Sequence, residues 1–202
     1  GNENLQPETS NSIQTVMELK KNKSWKLGLT LFYNKIDNLI ATSLVDINNN
    51  IENLQYVNIS KAFTRGAEVS STFELPSRLK ASFNFTYTEA VNELTNNLIM
   101  NRPLYAGTFL ITKAWGKYRS NIVLGARYQG ESFTDEENTQ VSPGFLSTDL
   151  KTNFSFNNDI TLQLAINNIS NERRAARGDF QPILDNRPVL GRNFLAGLNI
   201  RI

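Results

Sequence analysis

Residues 160–168 read ITLQLAINN and residues 194–202 read FLAGLNIRI. In both stretches every second residue is apolar, and most of the residues between are polar or small. A period of two indicates a β-strand with one apolar face and one mostly polar face. Such an apolar face is covered either by a protein core or by lipid. Which of the two covers it decides the fold.

The same alternation recurs along the chain, in segments that a helical period does not fit. Together with the first two, these segments predict roughly nine strands, most of about ten residues, the length that a tilted membrane strand needs. The further segments are 10–20, 25–33, 55–75, 79–87, 104–114, 118–128 and 146–156.

The predicted connections alternate in length. The short ones are 21–23, 76–77, 116–117 and 157–159, and the long ones are 41–52, 91–102, 129–144 and 169–190. Bacterial outer-membrane barrels have short turns on the periplasmic side and long loops outside, whereas a soluble sandwich has no reason to keep its short turns at one end.

Charges and aromatic residues agree with a lipid-facing stripe. The apolar faces of the predicted strands carry no charge, whereas the opposite faces carry Lys26, Lys80, Arg119, Arg127, Asp149, Lys151 and Arg201. Aromatic residues cluster toward strand ends, as in the two interfacial girdles of a barrel. Trp25, Trp115, Tyr118 and Phe156 flank short turns, and Tyr33, Tyr87, Tyr105 and Tyr128 lie toward long loops.

Composition excludes several classes of function. The 202 residues contain no cysteine and no histidine, which removes disulfides, thiol chemistry, the Ser-His-Asp triad and the usual zinc sites. The net charge of +2 gives no reason to expect a nucleic-acid partner. No run of about 18 apolar residues predicts a membrane helix. We expect no enzyme activity, no catalytic residue, no cofactor and no metal.

Two alternatives remain open. A soluble β-sandwich that serves as a binding module also alternates apolar and polar residues, and for any one strand it is the better interpretation. The joint pattern of strand length, loop length and charge favours an antiparallel up-and-down transmembrane β-barrel segment of about nine to ten strands. Within that class, a passive porin-like or adhesin-type barrel is the second alternative.

Strand parity predicts an incomplete barrel. With short turns in the periplasm, nine strands begin outside and end in the periplasm, whereas a complete bacterial barrel has an even number of strands. We therefore predict that residues 1–202 are the C-terminal portion of a larger barrel. The opening residues GNENLQPETSNS contain no apolar segment of a secretory signal.

Several motifs resemble TonB-dependent outer-membrane receptors. NENLQPE at 2–8 is similar to their NPNLKPE segment, and Asn58 followed by Arg65, Gly66 and Glu68 resembles their Asn…Arg-Gly-Xaa-Glu pattern. LQLAINNISNE resembles the NLFD strand, and PVLGRNFLAGLNIRI resembles the closing strand. The chain departs from the family at Ile202, where an aromatic residue is common.

The resemblance implies a 22-stranded barrel with an N-terminal plug in a Gram-negative outer membrane. Such receptors import scarce nutrients such as ferric siderophores, cobalamin, haem or glycans with energy from the TonB complex. The implied partners are the receptor's own plug, the TonB complex, a small-molecule ligand and outer-membrane lipid. The plug lies outside these residues.

Candidate contact residues lie in the long loops. A basic cluster of Arg173, Arg174, Arg177 and Arg187, with Arg192 nearby, could bind an anionic ligand or lipid phosphates. A solvated loop with acidic neighbours explains it more simply. Glu131, Asp135, Glu136 and Glu137 lack the spacing of a calcium loop. We expect Arg65 and Glu68 on the polar face, near the periplasmic half.

Overall fold

The computed structural model describes residues 2–21, 24–48, 51–117, 120–172 and 191–201. These residues form mainly β-structure, with no helix in the described ranges that is long and apolar enough to cross a membrane. The strands are β1 (Thr9–Lys21), β2 (Trp25–Asn48), β3 (Ile51–Leu75), β4 (Leu79–Asn92), β5 (Tyr105–Trp115), β6 (Ser120–Gln129), β7 (Ser132–Phe133), β8 (Val141–Ser142), β9 (Phe145–Ser155), β10 (Ile160–Asn167) and β11 (Asn193–Ile200).

Nine of these strands form one antiparallel sheet in the order β1-β2-β3-β4-β5-β6-β9-β10-β11. Each strand pairs with its neighbours in the chain, apart from the small β7–β8 hairpin, which lies in the connection between β6 and β9. The sheet is open, because β1 and β11 are its outer strands and the described residues show no pairing between them. This is the predicted up-and-down segment of a barrel.

The predicted long loop at 41–52 is wrong. β2 and β3 pair from Trp25 opposite Phe73 to Asn48 opposite Ile51, so that this part of the chain continues as a ladder. The three Asn residues at 48–50 favour a loop, although Ala41, Val45 and Ile47 continue the alternation of β2 in the sequence. The hairpin therefore runs past the end of β4, whose Asn92 lies opposite Ala62.

The short turns lie together at the other end of the sheet. Between β3 and β4, Ser77 and Arg78 both have positive φ, 64° and 59°, and Gly116 has a φ of 71° between β5 and β6. Arg78 donates a hydrogen bond from Nη1 to the carbonyl of Gly116 at 2.9 Å, which joins the two turns. The predicted short turns at 76–77, 116–117 and 157–159 are therefore confirmed.

The described sheet has almost no interior. Its buried apolar residues are Ala62, Ala90 and Val91. A β-sandwich would instead bury one full face of each sheet between two layers. The sandwich alternative is wrong, because the nine strands form one layer with both faces open.

Candidate functional site

The apolar stripe forms one continuous surface of the sheet. Leu29, Val69 and Phe85 lie side by side on β2, β3 and β4, and Phe154, Leu162 and Leu198 do the same on β9, β10 and β11. Leu198 is 61% exposed even though a soluble protein normally buries such a residue. This surface is far larger than the apolar patches that soluble monomers leave exposed.

Charges on the apolar face are confined to its two ends within the described residues. Lys113 lies at the end with the short turns, opposite Leu79, and donates from Nζ to the carbonyl of Ser77. Arg65 and Glu89 lie opposite each other at the end with the long loops. From Leu79 to Glu89 the strand rises about 33 Å, which a tilt of about 40° reduces to roughly 25 Å, the height of a barrel's apolar band.

Aromatic side chains mark the same two limits. Trp25 stacks on Phe73 near the short turns, with ring centroids 6.3 Å apart. Toward the long loops, Tyr87 and Tyr105 lie 5.4 Å apart. Such rings are favoured at the level of lipid headgroups. The two predicted girdles therefore coincide with the ends of the uncharged band, apart from Tyr118, which lies outside the described residues.

The other face of the sheet is polar. Glu68 lies between Thr30 and Thr86, and further along the sheet Arg127 lies between Thr108 and Ser147. Register places each of these residues on the face opposite Leu29 and Phe85. This agrees with the predicted polar stripe, except for Arg119, which lies outside the described residues.

The predicted position of Arg65 is wrong. The expectation placed Arg65 with Glu68 on the polar face near the periplasmic half, but side chains three residues apart in a strand point to opposite faces. Arg65 lies on the apolar face between Tyr33 and Glu89, at the end with the long loops. Its Nε donates to Oε2 of Glu89, and its guanidinium lies 5.4 Å from the Phe63 ring.

Two of the sequence motifs meet at Asn58. Its Oδ1 accepts a hydrogen bond from the Gln6 amide at 2.8 Å, and its Nδ2 donates to the carbonyls of Gln6 at 3.0 Å and Asn38 at 2.7 Å. Asn38 itself has a φ of 58° within β2. The NENLQPE segment thus crosses β2 and is held on β3, which gives both motifs one structural role.

Two external connections are hydrogen-bonded to each other. We call residues 93–104 the β4–β5 loop and residues 130–144 the β6–β9 loop. The side chain of Asn138 accepts from the Leu98 amide at 2.7 Å and donates to the Leu98 carbonyl at 2.9 Å. Asn97 donates to the Glu136 carbonyl, and the Asn101 amide donates to the Phe133 carbonyl, both at 2.8 Å.

Asp135 organises the β6–β9 loop from within. Its carboxylate accepts hydrogen bonds from the amides of Thr139 and Gln140 and from the Thr139 hydroxyl. Partial desolvation raises the pKa of Asp135, but these hydrogen bonds lower it more, so that its pKa lies below the usual value. Of the acidic cluster, Asp135 therefore serves as a scaffold of the loop, and the described residues contain no group of three metal-ligating side chains.

A cavity of about 440 Å³ lies between these loops and the extended hairpin. Ile40 and Tyr56 line it from β2 and β3, and Asn101, Arg102 and Glu136 line it from the two loops. Asn101 and Arg102 are not predictable from the sequence as site residues, because hydrogen bonds between distant segments determine which loop residues meet. The abundance of Asn in these loops was the available signal, since Asn favours turns and tolerates positive φ.

Arg173, Arg174, Arg177 and Arg187 lie outside the described residues, so their role stays a prediction. Arg192 is described, and its guanidinium donates from Nε to the carbonyl of Ile169 at 3.0 Å. Arg192 therefore connects the residue before β11 to the segment that follows β10.

Solved structures with a similar fold include two receptors and a transporter. The ferric enterobactin receptor PfeA of Pseudomonas aeruginosa, in complex with enterobactin, matches with 21% identity and a TM-score of 0.79 over 99% of this chain and 32% of that chain. The copper transporter OprC matches with 14% identity and a TM-score of 0.80 over 98% of this chain and 33% of its own. The siderophore receptor PirA of Acinetobacter baumannii matches with 18% identity and a TM-score of 0.76 over 99% and 32%.

These similarities concern the fold, and the chain spans about a third of the length of these receptors. A search of curated protein sequences finds no match. The family model described as "TonB dependent receptor-like, beta-barrel" matches residues 1–169. The chain therefore belongs to the TonB-dependent receptor β-barrel family.

Proposed function

We propose that this chain is the C-terminal portion of the barrel of an outer-membrane receptor that imports a scarce nutrient, in the first instance a ferric siderophore. The observation that carries the proposal is the uncharged apolar band of about 25 Å between two aromatic girdles, in a chain of this family. A lipid environment removes the cost of exposing that band, and the polar face then lines an aqueous interior or a plug.

Ligand recognition belongs to the external end of this barrel. The hydrogen-bonded loops and the cavity lie there, at the end opposite the short turns. The similar structures of PfeA and PirA are receptors for siderophores, and PfeA is seen with enterobactin. Import would use the receptor's own plug and energy from the TonB complex, and the four arginines of the last loop remain candidate contacts.

Iron uptake by the intact receptor tests this function. Cells that express the receptor should accumulate ⁵⁵Fe from ferric siderophores, and deletion of the receptor or inactivation of the TonB complex should abolish accumulation. The receptor should fractionate with the outer membrane. Recovery of the full-length protein in the soluble periplasmic fraction would rule out the proposal.

A passive barrel is the second candidate function. The open sheet, which has a polar face and no layer packed on it, is equally compatible with a diffusion channel. Uptake that persists without the TonB complex and grows linearly with ligand concentration would favour this candidate. Saturable uptake that requires the TonB complex would exclude it.

A further inference from the structure

Two charged side chains line the external cavity and do not form an ion pair with each other. Arg102 and Glu136 both line it and both are exposed. Neither forms an ion pair within 4.0 Å or a side-chain hydrogen bond to another described residue. Among the described lining residues, the cavity therefore offers one strong donor and one strong acceptor, and these residues carry no net charge.

A buried acceptor adds to this chemistry. Asn101 also lines the cavity, and its Oδ1 is buried without a hydrogen-bond donor among the described residues. A buried carbonyl without a donor is destabilising. An amide N–H of a ligand in the cavity would supply the donor once the Asn101 side chain rotates to bring Oδ1 to the cavity surface.

The remaining lining of the cavity is partly apolar, and one wall is fixed by hydrogen bonds between the loops. Tyr56 is 59% exposed and Ile40 is 39% exposed, so both offer surface to a ligand. The opposite wall is held by the hydrogen bonds of Asn97 and Asn138 between the two loops. A wall fixed before binding lowers the entropy that the ligand must overcome.

We propose that this cavity binds an uncharged, amide-bearing ligand and that, given the proposed uptake of iron chelates, the ligand class is a net-neutral ferric hydroxamate. Three singly charged hydroxamates cancel the charge of Fe³⁺, whereas three doubly charged catecholates leave a trianion. A lining without net charge does not compensate a trianion for the water that it loses on entry, whereas Glu136 and Asn101 accept hydrogen bonds from the amide N–H groups of a neutral ligand. Arg102 donates to a ligand carbonyl.

Binding of two chelates to the intact receptor tests the proposal. The probes are ferrichrome, a neutral ferric trihydroxamate on a peptide ring, and ferric enterobactin, a trianion. We expect ferrichrome to bind more tightly and Arg102→Gln to weaken it about tenfold, because a charge-assisted hydrogen bond is lost. Glu136→Gln should weaken ferrichrome severalfold and strengthen ferric enterobactin. The adjacent exposed Glu137, which does not line the cavity, provides the control Glu137→Gln, which should leave both affinities unchanged.

Three outcomes would overturn the inference. The first is tighter binding of ferric enterobactin than of ferrichrome by the wild-type receptor, which would leave the proposed uptake function standing. The second is that none of the cavity substitutions changes the affinity for ferrichrome, which would show that ferrichrome contacts other residues. The third is the absence of binding and uptake of either chelate, which would remove the proposed iron function as well.

Discussion

At the scale of single residues, the face of the sheet on which a residue lies decides which substitutions are tolerated there. Gln163 lies opposite Asn153 and Gly197 on the polar face, whereas its neighbour Leu164 lies opposite Thr152 and Ala196 on the apolar face. Leu164 is 44% exposed and lies four residues into β10. Neighbouring positions of one strand should therefore respond differently to the same charge.

Leu164→Arg should destabilise the barrel by about 2–4 kcal/mol, because the charge would enter the hydrocarbon. Gln163→Arg is the matched control and should be mild, since its side chain meets water. Urea unfolding of the intact receptor in lipid bilayers measures both. Equal losses of stability at the two positions would contradict the assigned faces.

Gly66 occupies a position that has no room for a side chain. A Cβ at this position would lie 2.0 Å from the carbonyl oxygen of Tyr87 and 2.6 Å from Cζ of Phe32. Gly66→Ala should therefore cost about 1–3 kcal/mol in the same unfolding experiment, as overpacking does. Gly197 is also on the polar face, but its nearest neighbour would be Oε1 of Gln163 at 3.7 Å, so Gly197→Ala should be tolerated. An unchanged stability of Gly66→Ala would contradict the close approach of the strands.

At the scale of elements, the external loops depend on specific side chains. The sequence predicted where most strands lie because period two is visible in any one segment, as in β4 and β10. It did not predict the extension of β2 and β3 beyond Ile40, because the run of Asn at 48–50 favours a loop. It also did not predict the pairing of Asn138 with Leu98, which joins segments far apart in the chain.

Asn58→Ala should release the NENLQPE segment from β3. The substitution removes three hydrogen bonds to Gln6 and Asn38, each worth about 1 kcal/mol. Hydrogen exchange of the Gln6 amide should accelerate while exchange in β4 and β5 stays slow. Asn84→Ala is the control, because Asn84 makes one hydrogen bond at 3.3 Å to Thr108. Unchanged protection of Gln6 would show that Asn58 does not hold the segment.

The β6–β9 loop should loosen in acid. Because folding lowers the pKa of Asp135, its carboxylate stabilises the loop at pH values above the usual value of 3.8, and this stabilisation is lost as the pH falls through the lowered pKa. The amide NMR signals of Thr139 and Gln140 should report that titration, and Asp135→Asn should abolish it. A midpoint above 3.8 would contradict the hydrogen-bonded carboxylate.

At the scale of the whole molecule, the nine strands form one sheet whose two faces need different environments. The uncharged band suits lipid, and the face with Glu68 and Arg127 suits water. Sequence alone predicted these two faces, since charge and aromatic positions are readable one strand at a time. It misplaced Arg65, because the height of a residue in the membrane depends on the register of neighbouring strands.

The most direct test of the lipid-facing assignment is a scan of single cysteines along β10 at residues 162–166. Each cysteine carries a spin label, and the intact receptor is studied in lipid bilayers. The chain contains no cysteine of its own to interfere. Labels at 162, 164 and 166 should be accessible to oxygen dissolved in lipid. Labels at 163 and 165 should be accessible to a water-soluble nickel chelate if the barrel interior is open. If the interior is filled, these two labels should be accessible to neither reagent. Lipid accessibility at 163 and 165, or the absence of any alternation, would contradict the lipid-facing assignment.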